Sequence, residues 1–355
     1  MAKVLMKGNE ALAEAAIQAG CRHYFGYPIT PQNEVTAYMA KRMPEVGGVF
    51  LQAESEVSAI NMIYGAGGAG ARVMTSTSSP GLSLMQEGIS YLAGAQVPCV
   101  IVNIMRGGPG LGDIQGAQGD YFQSTKGGGH GDYRLIVLAP STIQEMADLV
   151  QEAFDIADEY RNPVVILGDG MLGQMMEPVD FENIQKRKRD IPEKTWATTG
   201  RGNREHRNII NSLYIDPPVL EKYNYQLFEK YAKAEKNEVR YEMINCEDAD
   251  VILVAYGTIA RVAKNVMNIA RREGYKVGLI RPISLWPFPK EPFEKTVDTA
   301  KAYLTVEMSM GQMVEDVKLA VQFKKPVYFY GRPGGMIPEP SVMLEQIRKI
   351  AGGVK

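Results

Sequence analysis

Residues 72–104 read RVMTSTSSPGLSLMQEGISYLAGAQVPCVIVNI. Arg72–Thr77 has the length of a strand, Leu82–Ala93 the spacing of a helix, and Cys99–Ile104 the unbroken apolar run of a buried strand. Short apolar strands alternating with helices indicate a mostly parallel sheet covered on both faces. The same rhythm runs outward in both directions. Upstream, Asn9 is placed to cap a helix over Glu10–Ala19, which Gly20 stops. A strand over His23–Tyr27, a helix over Pro31–Arg42, a strand over Val49–Gln52 and a helix over Ser55–Gly65 follow. Downstream, Leu135–Leu138, Ile143–Tyr160 and Pro163–Leu167 continue it.

The pattern divides the chain into a first domain over 1–180, a charged connection over 181–245 and a smaller α/β domain over 246–355. The connection contains one predicted helix near Val219–Glu235 and the basic run Lys186-Arg187-Lys188-Arg189, which reads as solvated surface. In the last part, Val251–Tyr256, Lys276–Ile280, Tyr303–Val306 and Val327–Tyr330 read as strands. Helices are expected over Ile259–Glu273 and Gly311–Phe323.

Composition narrows the function. With 39 Lys and Arg against 41 Asp and Glu, the chain lacks the clustered basic excess that nucleic-acid binding requires. No apolar run is long enough to span a membrane, and the first twenty residues lack the apolar core of a signal peptide. Only three cysteines occur, Cys21, Cys99 and Cys246, all far apart. They cannot form a disulfide framework or ligate a four-cysteine cluster, and unpaired thiols suit a cytoplasmic protein.

Four turns follow the carboxyl ends of predicted strands, where α/β sheets bind ligands. In Tyr27-Pro28-Ile29-Thr30-Pro31 two prolines hold Thr30 near a helix start, as a cap or as a ligand contact. In Gln52-Ala53-Glu54-Ser55-Glu56 either acid could favour the helix dipole, or one, Glu56 in preference to Glu54, could enter a pocket and exchange a proton with a heterocycle. Thr75-Ser76-Thr77-Ser78-Ser79-Pro80-Gly81 is a helix cap or an anion cradle. Arg106-Gly107-Gly108-Pro109-Gly110 opens a loop with ten glycines among residues 107–131, and Arg106 is either a surface residue or a fork for a carboxylate. His130 within this loop is either exposed or a contact to a ligand. Gly65-Ala66-Gly67-Gly68-Ala69-Gly70 ends a helix instead of opening one, so it does not make a dinucleotide site.

In this order, YPITP, ESE, TSTSSPG with LSLM following, and RGGPG resemble the alpha subunit of the 2-oxoacid:ferredoxin oxidoreductases, enzymes of thiamine diphosphate and coenzyme A. VILVAYGTIARVAK (251–264), RPISLWPFP (281–289) and VEMSMGQM (306–313) look like the second domain of that family. RGGPGLGD (106–113) and KGGGHGDYR (126–134) look most like its branched-chain, 2-oxoisovalerate type. The resemblance implies a parallel-sheet, pyrimidine-type thiamine diphosphate domain followed by a transketolase C-terminal-like α/β domain. It implies that Glu56 meets a ring nitrogen of the aminopyrimidine, with Tyr27, Pro28, Ile29, Ser79, Pro80 and Gly81 around the cofactor. Thr30 and Arg106 match residues that hold substrate, while Glu54 and His130 are secondary candidates.

The implied reaction is oxidative decarboxylation of a 2-oxoacid to acyl-CoA and CO2 with reduction of ferredoxin. The substrate alternatives are 2-oxoglutarate and pyruvate, and the alternative in kind is a non-catalytic scaffold with a thiamine fold. Gly168-Asp169-Gly170 looks like the start of a diphosphate motif, but no suitable Asn follows, so it reads as a strand-end turn. No metal site is therefore expected here. The resemblance implies a beta subunit that holds Mg2+ and diphosphate, with gamma and small ferredoxin-like subunits completing a hetero-oligomer. Iron–sulfur clusters are expected on those partners only.

Overall fold

The computed structural model describes residues 3–352. The first part runs β1 (Val4–Lys7), α1 (Gly8–Gln18), β2 (His23–Gly26), α2 (Asn33–Glu45), β3 (Val49–Gln52), α3 (Glu56–Gly68), β4 (Val73–Thr77) and α4 (Pro80–Gly94). It continues through β5 (Cys99–Met105), α5 (Tyr121–Thr125), β6 (Ile136–Leu138), α6 (Ile143–Tyr160), β7 (Pro163–Asp169), α7 (Gly170–Gln174) and β8 (Met176–Val179). After α8 (Pro217–Asn237) come β9 (Tyr241–Ile244), β10 (Val251–Val254), α9 (Gly257–Arg272), β11 (Val277–Pro282) and β12 (Ser284–Trp286). The chain ends with α10 (Glu291–Thr296), β13 (Ala302–Glu307), α11 (Met313–Ala320), β14 (Val327–Gly331) and α12 (Pro340–Ala351).

The first sheet has seven strands in the order β12-β6-β7-β5-β4-β2-β3, parallel except for β12. Its central strands β4, β5 and β7 are buried at every position, β5 and β7 as their largely apolar sequences require and β4 with Thr75, Ser76 and Thr77 carried into the interior. The second sheet has five strands, β14-β13-β10-β11-β9, of which only β9 is antiparallel. β12 lies late in the chain yet pairs with β6, so one strand of the later segment completes the edge of the first sheet.

Three expectations need correction. Asn9 does not cap α1. The helix starts at Gly8, and buried Asn9 donates to the Pro31 carbonyl (2.8 Å) and to Glu34 (2.9 Å). β1 feeds straight into α1, so the first turn is fixed by β1–β8 pairing instead of a side-chain cap. The second helix begins at Asn33 and not at Pro31, whose carbonyl is taken by Asn9 and Gln174 side chains.

The basic run is not wholly solvated. The Arg189 side chain is 7% exposed and paired with Glu152 (3.0 Å), Glu159 (2.6 Å) and Glu238 (2.7 Å). Lys186 reaches Asp155 on α6 at 2.9 Å. Arg240 joins Glu152 and Glu238. The connection is thus clasped to α6 by the carboxylates Glu152, Asp155 and Glu159, and its own Glu238 joins the cluster.

Candidate active site

The sheet order explains why four separated turns meet. Strands β5, β4, β2 and β3 are consecutive neighbours and parallel, so their carboxyl ends lie side by side. The turns carrying Arg106, Thr77–Gly81, Tyr27–Pro31 and Ala53–Glu56 therefore line one edge of the sheet.

Ser55 is the N-cap of α3 and its hydroxyl accepts from the Ser58 amide at 3.2 Å. This cap sends the two flanking acids to different environments. Glu54 is exposed and accepts from the Ser58 hydroxyl at 2.6 Å, which holds its carboxyl below the ordinary value. Glu56, the first residue of the helix, is buried. Among the described residues no donor is bonded to its carboxylate. Its Oε1 lies against Gly81: a Cβ there would stand 2.5 Å from Glu56 Oε1 and 2.1 Å from Thr77 Oγ1. Only glycine leaves that space open. The hydroxyls of Thr75, Thr77 and Ser78 are buried with no partner. Buried polar groups are ordinarily satisfied, so three unpartnered hydroxyls close together in and just after β4 set this turn apart from the rest of the core.

Beside it is a cleft of about 430 Å3 whose lining includes Ser79, Pro80, Arg106, Asp120, Met308 and Met310. Arg106 directly follows β5 and is 8% exposed. Its Nη1 donates to the Thr30 carbonyl (2.9 Å) and its Nη2 to the Leu111 carbonyl (3.0 Å), while Nε has no partner. The guanidinium thus braces both the Thr30 turn and the tip of the glycine loop. Asn103 in β5 accepts the Ser79 amide at 2.9 Å and donates to Asp120 at 2.9 Å. Burial pushes the Asp120 carboxyl above its ordinary value, although Ser79 and Asn103 both donate to it.

The far wall comes from the second sheet. Gln118 and Met308 exchange two hydrogen bonds, at 2.9 and 3.0 Å. Gln312 donates to the Gly119 carbonyl at 2.7 Å. Buried Glu307 accepts from the amides of Gln312, Met313 and Val314 and from the Ser309 hydroxyl, which shapes the Met308–Gln312 turn.

The remaining candidates are more dispersed. Thr30 contributes its carbonyl to Arg106, but its hydroxyl accepts from Asn33 at 3.3 Å and the residue lines a separate cleft with Ile114 and Gln174. Tyr27 is exposed, and Pro28 and Ile29 are half-buried in the turn. That turn is tied to β4 through Gln32, which donates to the Tyr27 carbonyl (3.3 Å) and accepts from Ser76 (2.6 Å). His130 is exposed. Its neighbour Gly129 packs on Gln86 and Ser90, which places it roughly 9–15 Å along α4 from the cleft end.

Asn103, Asp120 and Gln32 are not foreseen by the sequence reading, whereas Gln312, with Glu307, is expected near the contact between the two domains without a chemical role. Asn103 carries a signal: it is the one polar residue inside the apolar strand CVIVNIM, three positions before Arg106. Asp120 lies in a glycine-rich stretch with no periodicity to mark it.

Residues 14–244 match the family described as "Pyruvate flavodoxin/ferredoxin oxidoreductase, thiamine diP-bdg", and residues 249–343 match "Pyruvate:ferredoxin oxidoreductase core domain II". The ketoisovalerate oxidoreductase subunit VorB of Methanothermobacter thermautotrophicus is 51% identical over 99% of this chain and 99% of its own. The 2-oxoglutarate synthase subunit KorA of Methanocaldococcus jannaschii is 36% identical, covering 94% of this chain and 96% of its own. Among solved structures, a 2-oxoglutarate:ferredoxin oxidoreductase from Magnetococcus marinus, with 2-oxoglutarate, coenzyme A and succinyl-CoA bound, matches with a TM-score of 0.88 at 27% identity. That match covers 98% of this chain but only 65% of the solved chain. A split-gene transketolase matches with a TM-score of 0.59 at 16% identity, a likeness of fold alone. With both segments matched and half its residues shared with a full-length relative, the chain belongs to the pyruvate flavodoxin/ferredoxin oxidoreductase family and carries its thiamine diphosphate-binding domain.

Proposed function

We propose that this chain supplies the aminopyrimidine end of a thiamine diphosphate site in an enzyme that oxidatively decarboxylates a branched-chain 2-oxoacid. The products are acyl-CoA, CO2 and reduced ferredoxin. The observation that carries the reading is the buried Glu56 carboxylate resting on Gly81, beside the unpartnered Thr77 and Ser78 hydroxyls. A polar heteroaromatic ring fits that donor and acceptor set. Bound there, thiamine diphosphate supplies a carbon nucleophile and a sink for the negative charge left when CO2 departs. With the cofactor bound, Glu56 would hold a proton at a ring nitrogen, and its burial would keep water from competing. Tyr27, Pro28, Ile29, Ser79 and Pro80 frame the ring's surroundings.

Arg106 orients the substrate carboxylate. Thr30 acts through the carbonyl that fixes Arg106, and its hydroxyl is a second contact. Glu54 and His130 take no part in this reading, because both are exposed and turned to other surroundings. The substrate's other end meets Met308, Met310, Ala117 and Pro109. Arg106 is the only cation lining that cleft among the described residues, and Asp120 the only anion. A monocarboxylate with an apolar side chain suits this balance, and a second carboxylate would lack a counter-ion from this chain. The likeness to the ketoisovalerate subunit supports the same substrate class.

The remaining chemistry belongs to partners. Asp169 is committed to the fold: it is buried and its Oδ1 accepts the Met171 and Leu172 amides as the cap of α7. Mg2+ and diphosphate are assigned to a beta subunit, and coenzyme A enters as cosubstrate. The three cysteines are free, buried and far apart, so the iron–sulfur clusters that pass electrons to ferredoxin are assigned to gamma and small ferredoxin-like subunits. The complex is read as a cytoplasmic hetero-oligomer; no helix among the described residues is long and apolar enough to cross a membrane.

The test is a steady-state assay of the co-purified subunits with 2-oxoisovalerate, pyruvate and 2-oxoglutarate and a low-potential electron acceptor. The highest kcat/KM is expected for 2-oxoisovalerate. A preference for 2-oxoglutarate would overturn the substrate assignment, and no turnover on any of the three would overturn the reaction.

A further inference from the structure

Asp120 stands where a helix cap is expected. It precedes α5, and an Asp in that position ordinarily accepts an amide of its own first turn. Its side chain makes no such bond. The amide of Phe122 instead donates to Gln312 Oε1, a residue 190 positions away on the far wall of the cleft, at 2.8 Å. A side chain from the second sheet thus takes over the cap and leaves the Asp120 carboxylate free to turn inward.

What it meets there is a closed ring of hydrogen bonds. Asp120 Oδ2 accepts from Ser79 Oγ at 2.5 Å and from Asn103 Nδ2 at 2.9 Å. Asn103 Oδ1 accepts the Ser79 amide at 2.9 Å, closing the ring. Ser79 Oγ also accepts the Arg106 amide at 3.0 Å. Asn103 is fully buried, and Ser79 and Arg106 are each 8% exposed. The ring lies between the two parts of the site. Ser79 leads directly into Pro80 and Gly81, where Glu56 rests, and the Arg106 amide anchors the guanidinium. Asp120 itself is half-buried at the cleft wall; hydrogen bonds to a carboxylate are the stronger kind, and a ring of them whose other members are buried holds them in one geometry.

We propose that Asp120 is a positioning residue that fixes Arg106, through Ser79, at the place where the 2-oxoacid carboxylate is held. The proposal rests on the reading that Arg106 meets that carboxylate. Gln312 extends the same chain of contacts into the second sheet, so the far wall and the Arg106 end of β5 are set relative to each other.

The test uses the assembled enzyme with Asp120→Ala, Asp120→Asn, Ser79→Ala and the double variant Ser79→Ala/Asp120→Ala. Asn offers one carbonyl oxygen to both donors but no charge. Asp120→Ala is expected to raise KM for the 2-oxoacid about tenfold with a much smaller change in kcat, as lost uniform binding does. Asp120→Asn is expected to recover most of that loss with an unaltered pH profile of kcat/KM. The double variant is expected to be no worse than the worse single one, because the two residues act as one unit.

Amide hydrogen exchange gives a reading that needs no turnover. In Asp120→Ala the Ser79 and Arg106 amides are expected to exchange faster, and in Asp120→Asn they stay protected. If Asp120→Asn is as damaging as Asp120→Ala, or moves the pH profile, the charge itself acts and the positioning role is wrong. Unchanged KM and unchanged exchange in Asp120→Ala would likewise overturn it. If Asp120→Ala fails to assemble, Asp120→Asn and Ser79→Ala decide between the same outcomes. A wild-type complex inactive on every 2-oxoacid would instead fault the assigned reaction, and the exchange measurement would still judge the ring.

Discussion

Glu54 and Glu56 are two residues apart and end in opposite environments. Ser58 captures the first at the surface, and the start of α3 buries the second against Gly81. The space left by the missing Cβ of Gly81 is a testable part of this arrangement. Gly81→Ala places a methyl group against Thr77 and Glu56, so thiamine diphosphate affinity of the assembled enzyme should fall at least about tenfold. Titration with the cofactor checks this; unchanged affinity would mean that the Glu56–Gly81 corner does not receive the ring. At this scale the sequence was informative wherever chemistry is local. Glu56, Ser79 and Gly81 sit at strand-to-helix turns and Arg106 opens the loop after β5, positions recognisable from their own residues. Asp120 was not legible, because its partners Asn103 and Ser79 lie 17 and 41 positions away and only the fold brings them near.

The strands and helices of both sheets were readable because their apolar residues repeat with the period of the element they form. What escaped were elements whose sequences carry little periodicity, such as the short β1–β8 ribbon and β12. The connection also misled, since a charged segment without apolar rhythm looks solvated. Its charges are met by Glu152, Glu159 and Glu238, and removing one partner of such a buried group leaves the others uncompensated. Helix α8 shows the same long-range dependence. Lys230 donates to Gln96 (3.4 Å) and to the Arg161 carbonyl (3.2 Å). Burial, with the neighbouring Arg161 guanidinium adding to it, lowers its ammonium from 10.5 to about 7. The folded chain therefore holds fewer protons than the unfolded one between these values, and stability rises with pH across that window. The stability is fully present above the unfolded value and is lost as pH falls through the folded one. Urea unfolding of wild type is expected to gain at least about 1 kcal/mol between pH 7 and pH 9.5 relative to Lys230→Met. Parallel pH profiles for the two proteins would show that α8 does not bury this charge.

Two sheets and one glycine-rich loop produce a single cleft. The loop leaves β5 at Arg106, touches the second sheet through Gln118, Gly119 and Phe122, and returns to the first sheet at β6. Its glycines allow that path, which is why composition alone drew notice to it without revealing its contacts. Exposed apolar side chains surround the site: Val57 and Leu84 on α3 and α4, Leu111 and Ile114 on the loop, and Met310 on the far wall. Such a rim fits a surface that other subunits cover. On the proposed reading this chain supplies the acid Glu56, the arginine Arg106 and an apolar wall, and partner subunits supply the metal and the electron path. The most direct measurement of that division is hydrogen–deuterium exchange at the thiazolium C2 of thiamine diphosphate bound to the assembled enzyme. Wild type and Glu54→Gln are expected to exchange rapidly, and Glu56→Gln at least about a hundredfold more slowly. Rapid exchange in Glu56→Gln would contradict the account.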